Sequence, residues 1–319
     1  MAFSYAMTSP NARFGLFCLL SILLLALVPL IDLAAGGGLM DFGGQAARAS
    51  AATGIAWTSN LVNVVRLALV EPGLWLLILG SAVPTLAGLF VLALSPAGSR
   101  RRFLARFNPL GADPVPVPRA LVNYALIFGV MIAGLLAVYF FRNMLAPGAY
   151  PSGPSLFSLS IVPVLASAAF LDQGALLEEA GWRGVGQPLL LKMGMSPLVA
   201  AIAIGLVWGL WHVPRDIFAD LPGSLGVITY LTRYLPAFLL GTITTSIIAM
   251  YFMNRTGGAL LPAIMVHGLG NDAMGFSGRA TIEVALTPGH QITKALPFLV
   301  IAIVLVLLSG AQLGRSKAR

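Results

Sequence analysis

Long apolar runs constrain the fold of this chain more than any other feature of its sequence. Residues 14–35 form the first of them, and about 20 apolar residues are enough for a helix to cross the hydrocarbon core of a bilayer. Only 9% of the 319 residues are charged, whereas a soluble domain carries about 25%. We therefore expect an all-α, polytopic integral membrane protein. A removable signal peptide is the alternative for the first run alone.

Eight membrane spans can be assigned along the chain. The second contains Pro84, which membrane helices tolerate. The fourth is predicted as one long helix, kinked or straight, and a helix that ends at residue 178 is the competing assignment. Residues 36–60 are rich in Gly, Ala and Ser and predict a loop, and residues 61–70 predict a short interfacial helix. The predicted spans are 14–35, 74–94, 120–141, 156–193, 198–213, 225–253, 259–274 and 295–308.

Basic residues indicate how these spans are oriented. Residues 100–102 are all arginine and lie between spans two and three, and connections rich in Lys and Arg stay in the cytoplasm. The bias favours a bacterial cell membrane with both termini cytoplasmic. Because no internal repeat is visible, we expect a single transmembrane domain over 1–319, with N-terminal spans in 14–141, a catalytic core at 156–275 and a C-terminal span at 295–308.

Composition also excludes several classes of function. The net charge is +8, but the basic residues are scattered over short loops and tails and form no patch interleaved with aromatics, so no nucleic-acid partner is expected. Cys18 is the only cysteine, which excludes a disulfide framework and a cysteine-based metal cluster. Membrane lipid is the partner that the composition predicts.

Three ionisable residues interrupt the fourth apolar run. Glu178 and Glu179 are adjacent, and Arg183 lies four residues after Glu179, on the same face of a helix. An ionisable group within a membrane span is costly and marks a functional site. A helix end at the interface, where charge is cheap, is the structural alternative, but residues 189–191 are leucines that resume the apolar run.

Two further polar sites lie at the ends of spans five and seven. His212 follows Trp208 by four residues, and Asn271 follows His267 by four, so each pair shares a helix face. Taken alone, His212 is an interfacial histidine, and His267 with Asn271 is an interhelical hydrogen-bonding pair. The chain has only three histidines. The third, His290, lies in a segment of Thr, Pro and Gly and is expected to be solvated.

A depth argument places Glu178 and His212 at one level. Glu178 lies 17 residues before the turn at Met195, and His212 lies 17 residues after it. At about 1.5 Å per residue, both are roughly 25 Å from the turn of an antiparallel hairpin. This match requires that the helix continue through the glutamates.

Such a cluster can activate water in two ways. A glutamate can act as general base on a water that an imidazole also binds, while a second histidine and an asparagine amide donate hydrogen bonds to an oxyanion. Alternatively, Glu178, His212 and His267 are the ligand set of a catalytic zinc with one open position. The sequence leaves both mechanisms open, so zinc is a possible cofactor and no cofactor is assigned.

The three motifs together resemble one family. Glu-Glu-x-x-x-Arg at 178–183, an aromatic-x-x-x-His ending at His212, and His267-x-x-x-Asn271 are similar to the CPBP family of intramembrane proteases, which includes the type II CAAX prenyl endopeptidases and bacterial immunity proteins. The resemblance covers about residues 170–275. One departure is Trp208, where the family usually has Phe.

The resemblance implies an endopeptidase and a role for each residue. Glu178 and His212 would activate the water, His267 and Asn271 would stabilise the oxyanion, and Glu179 with Arg183 would form a supporting ion pair. The substrate would be a peptide or protein, lipid-modified where the CAAX chemistry applies.

Two other functions stay open at this point. A proton-coupled transporter or channel could use the Glu/His cluster as a relay, although no inverted repeat supports it. A catalytically silent immunity protein could keep the same fold. Other protease motifs fail, because there is no His-Glu-x-x-His motif and no later span carries a histidine to activate Ser277.

Overall fold

A computed structural model describes residues 9–145, 159, 161–218, 220–271 and 287–315 of the chain. Within these residues the regular structure is helical, and the only pairing of extended backbone is an isolated bridge between Asn60 and Asp172. The helices are α1 (Pro10–Ala34), α2 (Phe42–Thr53), α3 (Leu61–Ala68), α4 (Leu74–Ala93), α5 (Ala97–Ala105), α6 (Val117–Leu145), α7 (Ile161–Leu171), α8 (Gln173–Gly181), α9 (Gln187–Lys192), α10 (Pro197–Trp211), α11 (Val213–Phe218), α12 (Leu221–Leu225), α13 (Val227–Thr229), α14 (Leu235–Arg255), α15 (Leu261–Asn271) and α16 (Pro288–Ser309), with π-helical turns at Trp182–Gly186 and Tyr230–Tyr234.

Six helical segments of the described residues are long and apolar enough to cross a membrane. They coincide with predicted spans one, two, three, five, six and eight, which confirms an all-α polytopic membrane protein. The other two predicted spans are shorter helices, so length does not establish the count of eight. The six segments are Pro10–Ala34, Leu74–Ala93, Val117–Met144, Pro197–Phe218, Val227–Arg255 and Pro288–Gln312.

The structure of the segment after α1 differs from the loop predicted for residues 36–60. Residues 36–60 contain helix α2 and are not a continuous loop. The side chain of Asp41 accepts a hydrogen bond from the Gly44 amide at the start of this helix, and Gly54 ends it with φ of +69°. Alanine, the best helix former, fills much of the helix between these caps. The short helix expected at 61–70 is present as α3.

The fourth predicted span is not one uninterrupted helix. It breaks at Asp172, where the side chain caps α8 by accepting from the Ala175 amide at 2.7 Å. The Gln173 amide donates to the Ser59 carbonyl at 2.7 Å instead of to α7. Beyond this break, helical structure continues through both glutamates and a π-helical turn to Lys192. The assignment that ended the helix at residue 178 is therefore wrong, and the start of the predicted span, 156–158 and 160, lies outside the described residues.

Glycines let the helices that carry the site approach closely. A Cβ on Gly181 would lie 2.2 Å from the Pro84 carbonyl oxygen of α4, and one on Gly205 would lie 2.7 Å from the Ile243 Cα of α14. The Thr85 hydroxyl bridges α4 and α8 by donating to the Leu177 carbonyl and accepting from the Gly181 amide. These contacts hold α8 against α4 and α10 against α14.

The environment of His290 also differs from the prediction, which placed this side chain in solvent. Its side chain is buried, not solvated, and its Nε2 lies 2.9 Å from Nη2 of Arg142 on α6. The first turn of α16 thus packs against the last turns of α6.

We predict that Gly181→Ala lowers the unfolding midpoint, because the added methyl overlaps the backbone of α4. Overpacking of this kind costs about 1–3 kcal/mol. Gly129→Ala on α6 is the matched control, since its Cβ would meet nothing within 4 Å and alanine is the better helix former. Thermal unfolding in detergent measures both, and equal midpoints for the two variants would contradict the close approach.

Candidate active site

Glu179 is the centre of a buried ionic cluster. Its Oε1 accepts from Arg183 Nη1 at 2.9 Å and lies 2.8 Å from His267 Nδ1. The side chains of Glu179 and Arg183 are 1% and 0% exposed. Arg183 Nη2 also donates to the Ser246 hydroxyl of α14 at 2.7 Å. The expected pair of Glu179 and Arg183 is present, and it joins α8, α14 and α15.

The contact with Glu179 fixes how His267 presents its ring. A carboxylate oxygen accepts, so His267 Nδ1 carries the proton of this hydrogen bond. The carboxylate also stabilises a doubly protonated ring, in which Nε2–H is a second donor. In the neutral ring Nε2 carries the lone pair and accepts, so only the doubly protonated ring can donate from Nε2 to a developing anion.

Trp208 connects the members of the site. Its indole Nε1 donates to Glu178 Oε2 at 2.8 Å, and the guanidinium of Arg183 lies 4.7 Å from the centroid of its ring. The same ring is 4.7 Å from that of His267 and 5.9 Å from that of His212, both edge to face. Trp208 thus does more than provide an aromatic surface, since phenylalanine at this position would lack the N–H that donates to the Glu178 carboxylate.

His212 receives its orientation from the backbone of the same helix. It follows α10, and its Nδ1 lies 2.8 Å from the Trp208 carbonyl. A carbonyl only accepts, so Nδ1 carries a proton, and in the neutral ring the lone pair is on Nε2. The ring also packs against Phe238 at 5.1 Å. His212 is half-buried and is presented as an acceptor for a water proton.

Glu178 and His212 are joined through Trp208. Each of the two side chains makes its hydrogen bond in the described structure to Trp208, one to the indole and one to the carbonyl. The depth argument expected the two groups at one level, and both lie within one helical turn of this tryptophan.

Asn271 and Glu178 face a common space beside Gly174. The position of a Cβ on Gly174 would be 3.2 Å from Asn271 Nδ2, 3.4 Å from Asp172 Oδ1 and 3.4 Å from Glu178 Oε1. Asn271 Nδ2 donates one hydrogen to Asp172 Oδ1 at 3.1 Å. Its second amide hydrogen is available to another acceptor.

Asp172 is the residue that the sequence did not single out. It is fully buried, caps α8 and binds the Asn271 amide, so it links the helix of Glu178 to that of Asn271. Asp followed by Gln-Gly in an apolar run was the available sign of a helix start. Its partner Asn271 is 99 residues away, which no local pattern reveals.

The residues that the zinc alternative requires as ligands are not brought together in this arrangement. Among residues 9–145, 159, 161–218, 220–271 and 287–315, no three His, Cys, Asp or Glu side chains lie where they could hold one metal ion. Nδ1 of His267 and Oε2 of Glu178 are already hydrogen-bonded to protein groups. The predicted set of Glu178, His212 and His267 therefore does not fit a metal as placed, and no step is derived through one.

Comparison with known families agrees with this constellation. Residues 158–272 match the family model described as type II CAAX prenyl endopeptidase Rce1-like. This part of the chain is an Rce1-like domain. The domain contains Asp172, Glu178, Glu179, Arg183, Trp208, His212, His267 and Asn271.

The apolar helices and the family match together support a broad class for the protein. With six apolar helices long enough to span a bilayer among the described residues, the chain is an integral membrane protein, and residues 158–272 of it are similar to a peptidase family. No curated protein is significantly similar to it. The expectation that no span after Ser277 carries a histidine is wrong, because His290 lies in α16, a helix long enough to span a membrane; Ser277 itself lies outside the described residues.

We expect Arg183→Ala to destabilise the protein by about 3–5 kcal/mol, because it leaves the buried Glu179 carboxylate without its cation. Arg48→Ala is the control, since Arg48 pairs with Glu71 on the exposed surface and its loss should leave the unfolding midpoint unchanged. Chemical denaturation in detergent measures both variants. Equal stability of the two would show that the buried pair does not hold the site together.

Asp172 offers a second test of the site. Asp172→Ala removes the cap of α8 and should cost about 0.5–2 kcal/mol. Asp172→Asn keeps an oxygen that can accept from Ala175 and Asn271, so it should retain most of the stability. The linking role fails if the asparagine variant unfolds as early as the alanine variant.

Proposed function

We propose that the protein is an intramembrane endopeptidase that hydrolyses a peptide bond with a water activated by Glu178 and His212. The observation that carries the proposal is the placement of both groups on Trp208 within a domain of a peptidase family. One group is a carboxylate and the other is an imidazole with Nε2 unprotonated. A water bound to both would be oriented for attack.

Glu178 is proposed as the general base. The indole N–H of Trp208 holds Oε2, which fixes the rotamer and leaves Oε1 directed to the space beside Gly174. Glu178 as a residue is only 6% exposed, so few waters compete for its lone pairs. Bases positioned in this way contribute about 10²–10⁴-fold to hydrolysis.

The proposed reaction has two steps, attack of water on the peptide carbonyl and collapse of the tetrahedral intermediate. The water oxygen attacks the carbonyl carbon as its proton passes to Glu178, and the carbonyl oxygen becomes an oxyanion. His267 Nε2–H and the second Asn271 amide hydrogen are proposed as its donors. Collapse of the intermediate breaks the C–N bond, and the proton on Glu178 passes to the leaving amine. Glu179 and Arg183 act by holding His267 and Trp208 in place.

The substrate is proposed to be a peptide segment within or beside the membrane. The name of the matched family refers to prenylated CAAX proteins, so a lipid-modified peptide is one class to test beside an unmodified one. Zinc assistance is separable from the reaction above, because the proposed steps use only side chains of the chain.

The proton-relay alternative has less support. Glu179 is held by Arg183 and His267 in short contacts that a proton carrier would have to break. The match to a peptidase family also favours hydrolysis over transport.

We predict that Glu178→Gln and His212→Ala each reduce cleavage of a peptide library by at least about 10²-fold, because each removes one of the two groups that bind the water. Glu71→Gln, at a partly exposed position before α4, is the matched control and should cleave normally. Mass spectrometry of products, with and without a chelator, measures cleavage, and unfolding midpoints verify that each variant is folded. Full activity of both site variants would contradict the mechanism, and loss of parent activity on chelation would restore the zinc alternative.

A further inference from the structure

The fold brings together basic residues that are far apart in the sequence. Arg102 lies on α5, Arg106 follows that helix, and Lys192 is the last residue of α9. Arg13 lies in the first turn of α1. Each of the three arginines is close enough to Lys192 for charge repulsion to act on it. We refer to Arg102, Arg106 and Lys192 as the basic cluster.

Packing between helices holds the basic cluster in this arrangement. Helix α5 packs on the π-helical turn that precedes α9, where a Cβ on Gly184 would lie 2.8 Å from the Phe103 ring. Arg106 Nη1 donates to the Gly258 carbonyl at 3.1 Å. The main-chain carbonyl of Arg106 also accepts from the Leu260 amide at 2.8 Å. Helix α1 packs on α9 in turn, so the elements that carry the cations are held by contacts that do not involve their charges.

Little negative charge accompanies these cations. Residues 97–119 contain five arginines and a single acidic residue, Asp113. Asp113 Oδ1 lies 3.6 Å from Arg102 Nη2, but both side chains are mostly exposed, and exposed pairs contribute little stability. Burial and the charge of Arg102 lower the pKa of Arg106, and Asp113 opposes them. Within the part of the chain that the structure describes, Lys192 forms no ion pair, so a bound anion would relieve the repulsion.

The cluster offers the kind of donors that phosphate oxygens accept from. A guanidinium carries five N–H donors in a planar fork that matches phosphate, and the hydrogen bond of Arg106 to Gly258 uses only Nη1. The ammonium of Lys192 supplies three more donors, and both Lys192 and Arg102 are exposed. Hydrogen bonds between such cations and phosphate are about twice as strong as neutral ones. The chemistry therefore favours a phosphate group as the anion.

Exposed apolar side chains lie beside the arginines of α5. Leu104 is 67% exposed and Phe107 is 54% exposed. Leu104 follows Arg100 by four residues and shares its helix face. Helix α5 also connects α4 to α6, two of the helices long enough to span a bilayer. A surface that combines arginines with apolar side chains beside two spans is typical of the level at which lipid headgroups meet acyl chains, which favours a phospholipid over free phosphate.

We propose that the basic cluster binds the phosphate of an anionic phospholipid headgroup. The phosphate contacts Arg102 and Arg106 on one side and Lys192 on the other, while Leu104 and Phe107 meet the acyl chains. Basic pockets between membrane helices bind anionic headgroups by this chemistry. A zwitterionic headgroup is disfavoured, because it brings a cation of its own to the cluster. The bound lipid joins the α5–α6 connection to α9, and this role does not depend on the proposed peptidase activity.

Lipid binding by the purified full chain tests this proposal. In a neutral detergent, native mass spectrometry measures the dissociation constants of phosphatidylglycerol and of phosphatidylcholine with the same acyl chains, and the parent should bind phosphatidylglycerol more tightly. The double variant Arg102→Gln/Lys192→Gln should weaken phosphatidylglycerol binding about 30-fold, because each cation near an anionic headgroup contributes roughly a factor of five. The matched control is Arg48→Gln/Arg66→Gln, which removes two exposed cations from α2 and α3 and should bind like the parent.

Two further measurements make the outcomes distinct. The variant Arg102→Lys/Lys192→Arg keeps both charges and should retain tight binding, and thermal unfolding in detergent verifies that every variant is folded. Inorganic phosphate, compared with chloride at equal ionic strength, should not displace phosphatidylglycerol from the parent. Displacement by inorganic phosphate would overturn the assignment to a lipid. Equal affinity of the parent for the two lipids, or unchanged affinity in the glutamine variant, would overturn the site itself.

Discussion

The arrangement of the site depends on one buried carboxylate shared between an arginine and a histidine. Glu179 Oε1 binds Arg183 on its own helix and His267 on α15, and all three side chains are withdrawn from solvent. A charge in such surroundings is tolerated only when it is paired and hydrogen-bonded. Any movement of α15 away from α8 would separate these groups, so the ionic cluster keeps the two helices in register.

Trp208 connects this ionic cluster to the reacting groups. Its ring lies against Arg183 and His267, while its indole N–H and its carbonyl hold Glu178 and His212. A single residue of α10 therefore sets the position of the proposed base and of the proposed water ligand. Asp172 has the corresponding role at the start of α8, where it binds the cap amide and Asn271. The site is assembled by contacts between helices and by helix ends, not by a loop.

Much of the fold and part of the site could be predicted from the sequence, because membrane helices have a strong apolar signal and buried charges are rare in them. The spans follow from the length of the apolar runs, and the pairing of Glu179 with Arg183 follows from their spacing of four residues on a helix. Other features depend on contacts between residues far apart in the chain. The break at Asp172 uses the Ser59 carbonyl, and the burial of His290 uses Arg142, 148 residues away. Composition does not predict helix α2, because its Gly and Ser residues favour a loop whereas its alanines favour a helix.

The central claim is that Glu178 and His212 bind one water between them. An experimental structure that resolves ordered waters measures this most directly. The account predicts a water within hydrogen-bonding distance of both Glu178 Oε1 and His212 Nε2. A separation of those two atoms of more than about 6 Å, twice the length of a hydrogen bond, would contradict it, because no single water could then contact both.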